Sequence, residues 1–372
     1  MEKQIIEEVE KLIPELIESV CQLVNQKSVK DHPQPQAPYG KDIANTLDFV
    51  LNISQELGFE TKNIDYHMGY ASYGKTNTND YICAIGHIDV VPTGIGWDTP
   101  PFQATIKDGR IYGRGVLDNK GPILSCLYGL YALKKLNLKL NNEVRIIFGC
   151  DEESGFNDLK YYLTKQQPPI MGFTPDCKYP VVYSERGRAV IDISIHDQKL
   201  FYQFLNEAIL NTKNDGQQLG IAYFDEEYGH LEVRNFQIIN EDNLTLRLSV
   251  SYPASIRVET ILQNISNQYQ DFTVNLYHNF NPVRFEKDNF LVKTLESTYN
   301  DVMDCNLSPV TTTGGTYAKL MPNIVPFGPS FPGQKGIAHL PNEWMNIDDL
   351  IMNAKIYALS LYRLGQGGKN ND

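Results

Sequence analysis

The sequence has no C-x-x-C pair, no surplus of positive charge, and no apolar run near the roughly 20 residues that cross a membrane. Each absence excludes a class. Six cysteines stand at Cys21, Cys83, Cys126, Cys150, Cys177 and Cys305, several of them in apolar runs. They read as buried free thiols of a reducing compartment rather than a disulfide framework. The opening residues, Met1-Glu2-Lys3-Gln4, lead into an acidic amphipathic pattern without the apolar stretch of a secretory signal, so a cytoplasmic protein with no membrane partner is expected. A formal net charge of -12 argues against a nucleic-acid surface or an anionic membrane as partner. There is no internal repeat and no low-complexity segment.

What is present is a chain of 372 residues, 42% hydrophobic and 21% charged, enough for one large or two ordinary domains. Helical spacing runs through Ile5, Val9, Leu12, Leu16, Val20 and Leu23, with Pro14 predicting a kink or break. A second helix is predicted from Lys41 to Leu57, stopped by Gly58. Tyr81–Ile85, a helix over Gly121–Leu136 and Val144–Phe148 form a strand–helix–strand crossover of an α/β sheet. A hairpin is predicted around Asp108-Gly109. From residue 187 to 284 the order becomes β-α-β-β-α-β, the ferredoxin-like unit, which reads as an inserted domain. Helices over Asp288–Val302 and Ile347–Leu364 follow, and Gly365–Asp372 is predicted to be an unstructured tail.

Three stretches between Tyr81 and Gly155 carry candidate chemistry: Gly86-His87-Ile88-Asp89-Val90-Val91-Pro92, Gly113-Arg114-Gly115-Val116-Leu117-Asp118-Asn119-Lys120-Gly121 and Asp151-Glu152-Glu153-Ser154-Gly155. His87, Glu152 and Glu153 fall at the carboxyl ends of predicted strands, where sites of α/β sheets lie. Imidazole with carboxylates and no thiolate suits zinc, manganese or cobalt, and implies a two-metal hydrolase. Singly, each residue has a plainer reading: Asp118 as a helix cap, Asp151–Glu153 as a solvated loop, Asp176 as a turn residue and His339 as a surface histidine.

Together with Phe173-Thr174-Pro175-Asp176, Gly314-Gly315-Thr316-Tyr317-Ala318 and His339-Leu340-Pro341-Asn342-Glu343, these stretches resemble the di-zinc peptidase family of peptidase V, carnosinase, aminoacylase and glutamate carboxypeptidase. The likeness is greatest to the bacterial peptidase V dipeptidase branch, and Leu219-Gly220-Ile221-Ala222-Tyr223 shares it. The resemblance implies a mixed-sheet α/β catalytic domain over 1–186 and 285–372, with a ferredoxin-like lid over 187–284. It also implies two divalent ions, zinc first and manganese or cobalt as alternatives. Asp118 would bridge them, His87 and Asp176 would complete one ion, and Glu153 and His339 the other. Glu152 would be the general base, Asp89 would orient His87, and Gly314, Gly315 and Thr316 would bind substrate. A small peptide or amide would be the substrate, and the protein a monomer or a homodimer through the lid. Because Glu152 and Glu153 are adjacent but differ in role, an unusual backbone geometry is expected between them.

Two departures stand out. The family's lid histidine, in a Gly-x-x-Ala-His-Gly context, has no counterpart; His196 and His230 are the candidates to replace it. The branch's carboxylate-binding arginine before Tyr-Pro is here Ser251, and Lys319 stands where another arginine follows the Gly-Gly-Thr motif. Weak cleavage of ordinary dipeptides is therefore expected. The competing functions are an N-acyl amino acid deacylase and a metal-binding pseudoenzyme; retention of Glu152 disfavours the latter, since a mere metal site needs no base.

Overall fold

The structure, a computed structural model, describes residues 1–74, 79–210, 212–334 and 336–367. It divides into two compact units. The first comprises Met1–Val182, Glu286–Val310 and Thr316–Asp372, and the second Tyr183–Phe285 and Thr311–Gly315.

The first unit is built on a six-stranded mixed sheet, in the order Glu60–Ile64, Met68–Tyr73, Glu143–Gly149, Tyr81–His87, Met171–Thr174, Ile324–Pro326. The last four strands run parallel, and Glu60–Ile64 and Met68–Tyr73 form an antiparallel hairpin on one side. All seven residues of Tyr81–His87 are buried, as expected of a parallel strand covered on both faces. The helix Gly121–Lys135 makes the crossover between Tyr81–His87 and Glu143–Gly149. It packs on the closing helix Ile347–Gln366, so closely that a Cβ on Gly129 would lie 2.9 Å from the Ala358 backbone nitrogen. The N-terminal helix Glu2–Val24 lies against both. It runs through Pro14 without a break, contrary to one expectation. Its face of Ile5, Val9, Leu12, Leu16, Val20 and Leu23 is buried, and that packing outweighs one missing backbone hydrogen bond. The closing helix ends at Gln366; the rest of the expected tail, residues 368–372, lies outside the described residues.

The second unit holds a four-stranded antiparallel sheet, ordered Glu232–Asn240, Leu244–Tyr252, Gly187–Ile195, Thr273–Phe280. Helices Gln198–Ala208 and Val258–Gln268 complete the β-α-β-β-α-β order. Alternation sets the core. Ala189, Ile191, Ile193, Leu246, Leu248 and Val250 meet Phe201, Phe204, Ile261 and Ile265. Asp197 caps the first helix, accepting from the Lys199 and Leu200 N–H groups.

Candidate metal centre

Two loops at the carboxyl ends of neighbouring parallel strands begin the site. His87 is the last residue of its strand, and Asp151-Glu152-Glu153 follows Gly149, the end of the adjacent one. Asp118 lies in the turn before the crossover helix, Asp176 after the strand Met171–Thr174, and His339 in the loop before Trp344–Asn346. All belong to the first unit.

The side chains converge. His87 Nε2 is 3.0 Å from Asp118 Oδ1 and 3.7 Å from Asp176 Oδ2. His339 Nε2 is 3.0 Å from Asp118 Oδ2 and 2.9 Å from Glu153 Oε1. Asp118 thus turns one oxygen to each histidine. Ligand-type atoms of His87, Glu152 and Asp176 lie within 4.8 Å of one another, and so do those of His87, Asp118 and Glu153. Glu152 falls on the His87–Asp176 side and Glu153 on the His339 side.

The ring of His87 is oriented by Asp89. Its Nδ1 lies 2.9 Å from the Asp89 carbonyl oxygen and 3.4 Å from Asp89 Oδ1. A carbonyl only accepts, so Nδ1 carries the proton and Nε2 is left to face Asp118 and Asp176. The Asp89 carboxylate has a second role. Its Oδ1 accepts the Glu152 N–H and its Oδ2 the Glu153 N–H, both at 3.2 Å. The expected irregular peptide falls elsewhere: the non-proline cis bond is Asp118–Asn119, and two hydrogen bonds to one carboxylate hold Glu152 and Glu153.

Neighbours without chemistry of their own fix the loops. The Asn119 side-chain amide donates to the Pro175 carbonyl at 2.6 Å, tying the Asp118 turn to the Asp176 loop. Gly86 makes room: a Cβ there would lie 2.2 Å from Asn119 Oδ1. Asp158 accepts the N–H groups of Cys150 and Asp151, at 2.7 and 2.9 Å, and the hydroxyl of Tyr317. Asp151 is fully buried and accepts from Lys30 at 2.5 Å and from Asn157. It supports the loop without joining the cluster.

The electrostatics ask for a cation. Four carboxylates, those of Asp118, Glu152, Glu153 and Asp176, meet two imidazoles. Burial, then Asp176, pushes the Glu152 carboxyl well above its usual range. Burial raises Glu153 too, against the pull of His339. Burial also resists charge on His87, yet hydrogen bonds to Asp118 and Asp89 hold it well above an ordinary histidine. Asp118, then Glu153, raises His339 to about 10. Donor spacings of 2.9–3.0 Å sit close to the edge of about 3.3 Å in a tetrahedron with bonds near 2.0 Å. Nitrogen and carboxylate donors at this spacing fit divalent ions.

Gly314 and Gly315 belong to the second unit, exposed, and Thr316 caps the Tyr317–Lys319 turn by accepting from the Ala318 N–H at 3.2 Å. His196 follows the strand Gly187–Ile195, and His230 packs beside Phe224; both are in the second unit. All six cysteines are free. No helix among the described residues is long and apolar enough to cross a membrane.

Fold and site together define a metal-dependent hydrolase. Residues 83–363 match peptidase family M20/M25/M40, and the chain belongs to that family. It is a metal-dependent peptide hydrolase with dipeptidase-like relatives. A Bacillus subtilis (strain 168) protein named "Putative dipeptidase YtjP" is 26% identical over 456 residues, spanning 95% of this chain and 97% of the relative. That alignment exceeds this chain by 84 positions, so the relative carries segments absent here. The fold matches human carnosine dipeptidase 1 with a TM-score of 0.73 at 15% identity, over 98% of each chain. It also matches YXEP of Bacillus subtilis, described as a dinuclear metal binding peptidase. The TM-score is 0.65 at 13% identity, over 96% of this chain and 99% of that one.

Proposed function

We propose that this chain is a cytoplasmic dipeptidase that holds two divalent ions through His87, Asp118, Glu153, Asp176 and His339. Zinc is the first choice; manganese and cobalt accept the same donors. The observation that supports this best is Asp118, whose two oxygens stand 3.0 Å from two different histidines. One carboxylate shared in this way suits a bridge between two ions. Six free thiols fit the cytoplasm.

When bound, the ions supply Lewis acidity and a water of lowered pKa. Glu152 takes the proton of the attacking water and passes it to the leaving amine. Asp89 keeps the two adjacent glutamates aimed at different positions through their N–H groups and fixes the His87 tautomer.

The test is a panel of dipeptides and N-acyl amino acids with zinc, manganese or cobalt added, alongside metal analysis. Dipeptide turnover with up to two ions per chain, both lost or weakened in Asp118→Ala, supports the reading. Turnover of acyl amino acids alone, or a variant that keeps both ions at full affinity, contradicts it.

A further inference from the structure

The segment after the first helix carries none of the motifs, yet it is bonded to three of them. Lys120, fully buried in the turn of Asp118, donates through Nζ to the Gln26 carbonyl at 2.6 Å. Ser28 Oγ donates to the Ile88 carbonyl at 2.6 Å, and the Ser28 carbonyl accepts the Val90 N–H at 3.0 Å. Lys30 Nζ donates to Asp151 Oδ1 at 2.5 Å. Residues 26–30 therefore join the loops of Asp118, of His87 and of Glu152–Glu153, all within the first unit.

The third contact differs in kind from the other two. Those end on backbone carbonyls, whereas Lys30 meets a carboxylate that is 0% exposed. A carboxylate so deep stays charged only with a partner, and among the described residues no other cation pairs with Asp151. Its second oxygen accepts the backbone N–H and the side-chain amide of Asn157, at 3.3 and 2.9 Å. Its carbonyl accepts the Phe156 N–H at 2.9 Å. Asp151 thus closes the loop 151–157 on itself, and Lys30 pins the closed loop to the segment. Lys30 is held in turn: its ammonium lies 5.5 Å from the centre of the Tyr39 ring, whose hydroxyl is 2.7 Å from His67 Nδ1. Asp89 holds the same loop by the N–H groups of Glu152 and Glu153. One carboxylate alone leaves a loop free to pivot about it; a second anchor, one residue away, removes that freedom.

We propose that Lys30 is a positioning residue for the hydrolysis: through Asp151 it sets where the carboxylates of Glu152 and Glu153 stand. The roles of those two glutamates, base and ligand, rest on the dipeptidase reading above. A lysine suits the task, because a long apolar stem carries one point charge from a half-exposed position to a buried partner. The effect is large for so indirect a contact, since a misplacement of about 1 Å at a reacting group costs up to about 100-fold in rate.

Lys30→Met keeps the stem and removes the charge. Three measurements read it: hydrogen exchange over residues 150–157 of chelator-treated protein, calorimetric titration with zinc, and kinetics on alanyl-alanine at saturating zinc. Exchange over 150–157 speeds up, and zinc affinity falls about 10- to 100-fold. The kcat falls by up to about 100-fold while KM holds. Lys30→Arg regains most of all three, because a guanidinium also donates to a carboxylate. If Lys30→Met does not fold, the double variant Lys30→Met/Asp151→Asn removes the uncompensated charge, and shows the same fast exchange and weakened zinc binding. Parent-like exchange and zinc affinity in the folded variant overturn the proposal. So does a loss of kcat that Lys30→Arg does not reduce, or a rise in KM at unchanged kcat. A wild-type protein that hydrolyses no dipeptide refutes the dipeptidase reading, while exchange and zinc titration still decide the role of Lys30.

Discussion

Arg114 and Glu343, 229 positions apart, form an ion pair 2.7 Å long in which each side chain is 1% exposed. Glu343 also accepts the N–H groups of Gly115, Leu117 and Asp118, at 3.0–3.2 Å. Arg114 donates to the carbonyls of His339, Leu340, Pro92 and Thr93. One buried pair thus holds the turn of Asp118 against the loop of His339, which stands at a positive φ of 67°. The two residues opposite each other in the centre owe their spacing to a contact that touches neither side chain.

Removing one partner tests this. Glu343→Ala leaves a buried guanidinium unpaired, which costs about 3–5 kcal/mol. Urea denaturation should show that loss. Titration with zinc should show metal affinity lower by about 10- to 100-fold, as for other residues that orient ligands. A variant as stable as the parent with unaltered metal affinity would show that the pair holds neither loop.

Asp89 should act on turnover. Asp89→Asn replaces one accepting oxygen with an amide group, so the N–H of Glu152 or of Glu153 loses its acceptor. With metal at saturation, kcat should fall about 10- to 100-fold. Unchanged kcat would show that the glutamates hold their aim without it.

Acidity gives a third outcome, read on chelator-treated protein by thermal unfolding. His339 is raised from 6.5 to about 10 by Asp118 and Glu153. Its folded form therefore binds the proton more tightly than its unfolded form does. The stabilisation is complete below about 6.5 and is lost as pH climbs toward about 10. His87, also raised, acts in the same direction. The unfolding temperature should fall steadily across that window. Adding zinc should flatten the fall, because a bound cation takes over the charge of the protons. A rise over the same window would contradict the assigned contacts.

The sequence showed the parts whose information is local. The helix Lys41–Glu56 was legible because Ile43, Leu47, Val50 and Leu51 repeat with its turns. Met171–Thr174 and Ile324–Pro326 were not: four and three residues are too short for a period, and their parallel neighbours hold them. Of the two alternatives at Pro14, the break does not occur, because a local rule for breaks ignores the packing of a buried helix face. His87, Asp118, Glu152, Glu153, Asp176 and His339 could be named from motifs, and the structure brings them together. The supports were missed. Arg114–Glu343 and Tyr317–Asp158 join residues 229 and 159 positions apart, and no spacing announces them. The available signal was a charged residue inside each motif that the metal chemistry left unused. Arg114 stands between two glycines, and Glu343 closes the motif that begins at His339. The irregular peptide was placed at Glu152–Glu153 because their roles diverge there, whereas Asp89 accomplishes that separation by hydrogen bonding.

The proposed mechanism makes Glu152 the base and five other residues the ligands, and turnover of Glu152→Gln at full metal loading tests that division. The amide keeps the size of the side chain but cannot take the proton from water. The variant should hold as many ions per chain as the parent, two in the proposed mechanism, with kcat lower by about 10²–10⁴. Parent-like turnover in a fully loaded variant would mean that another group is the base.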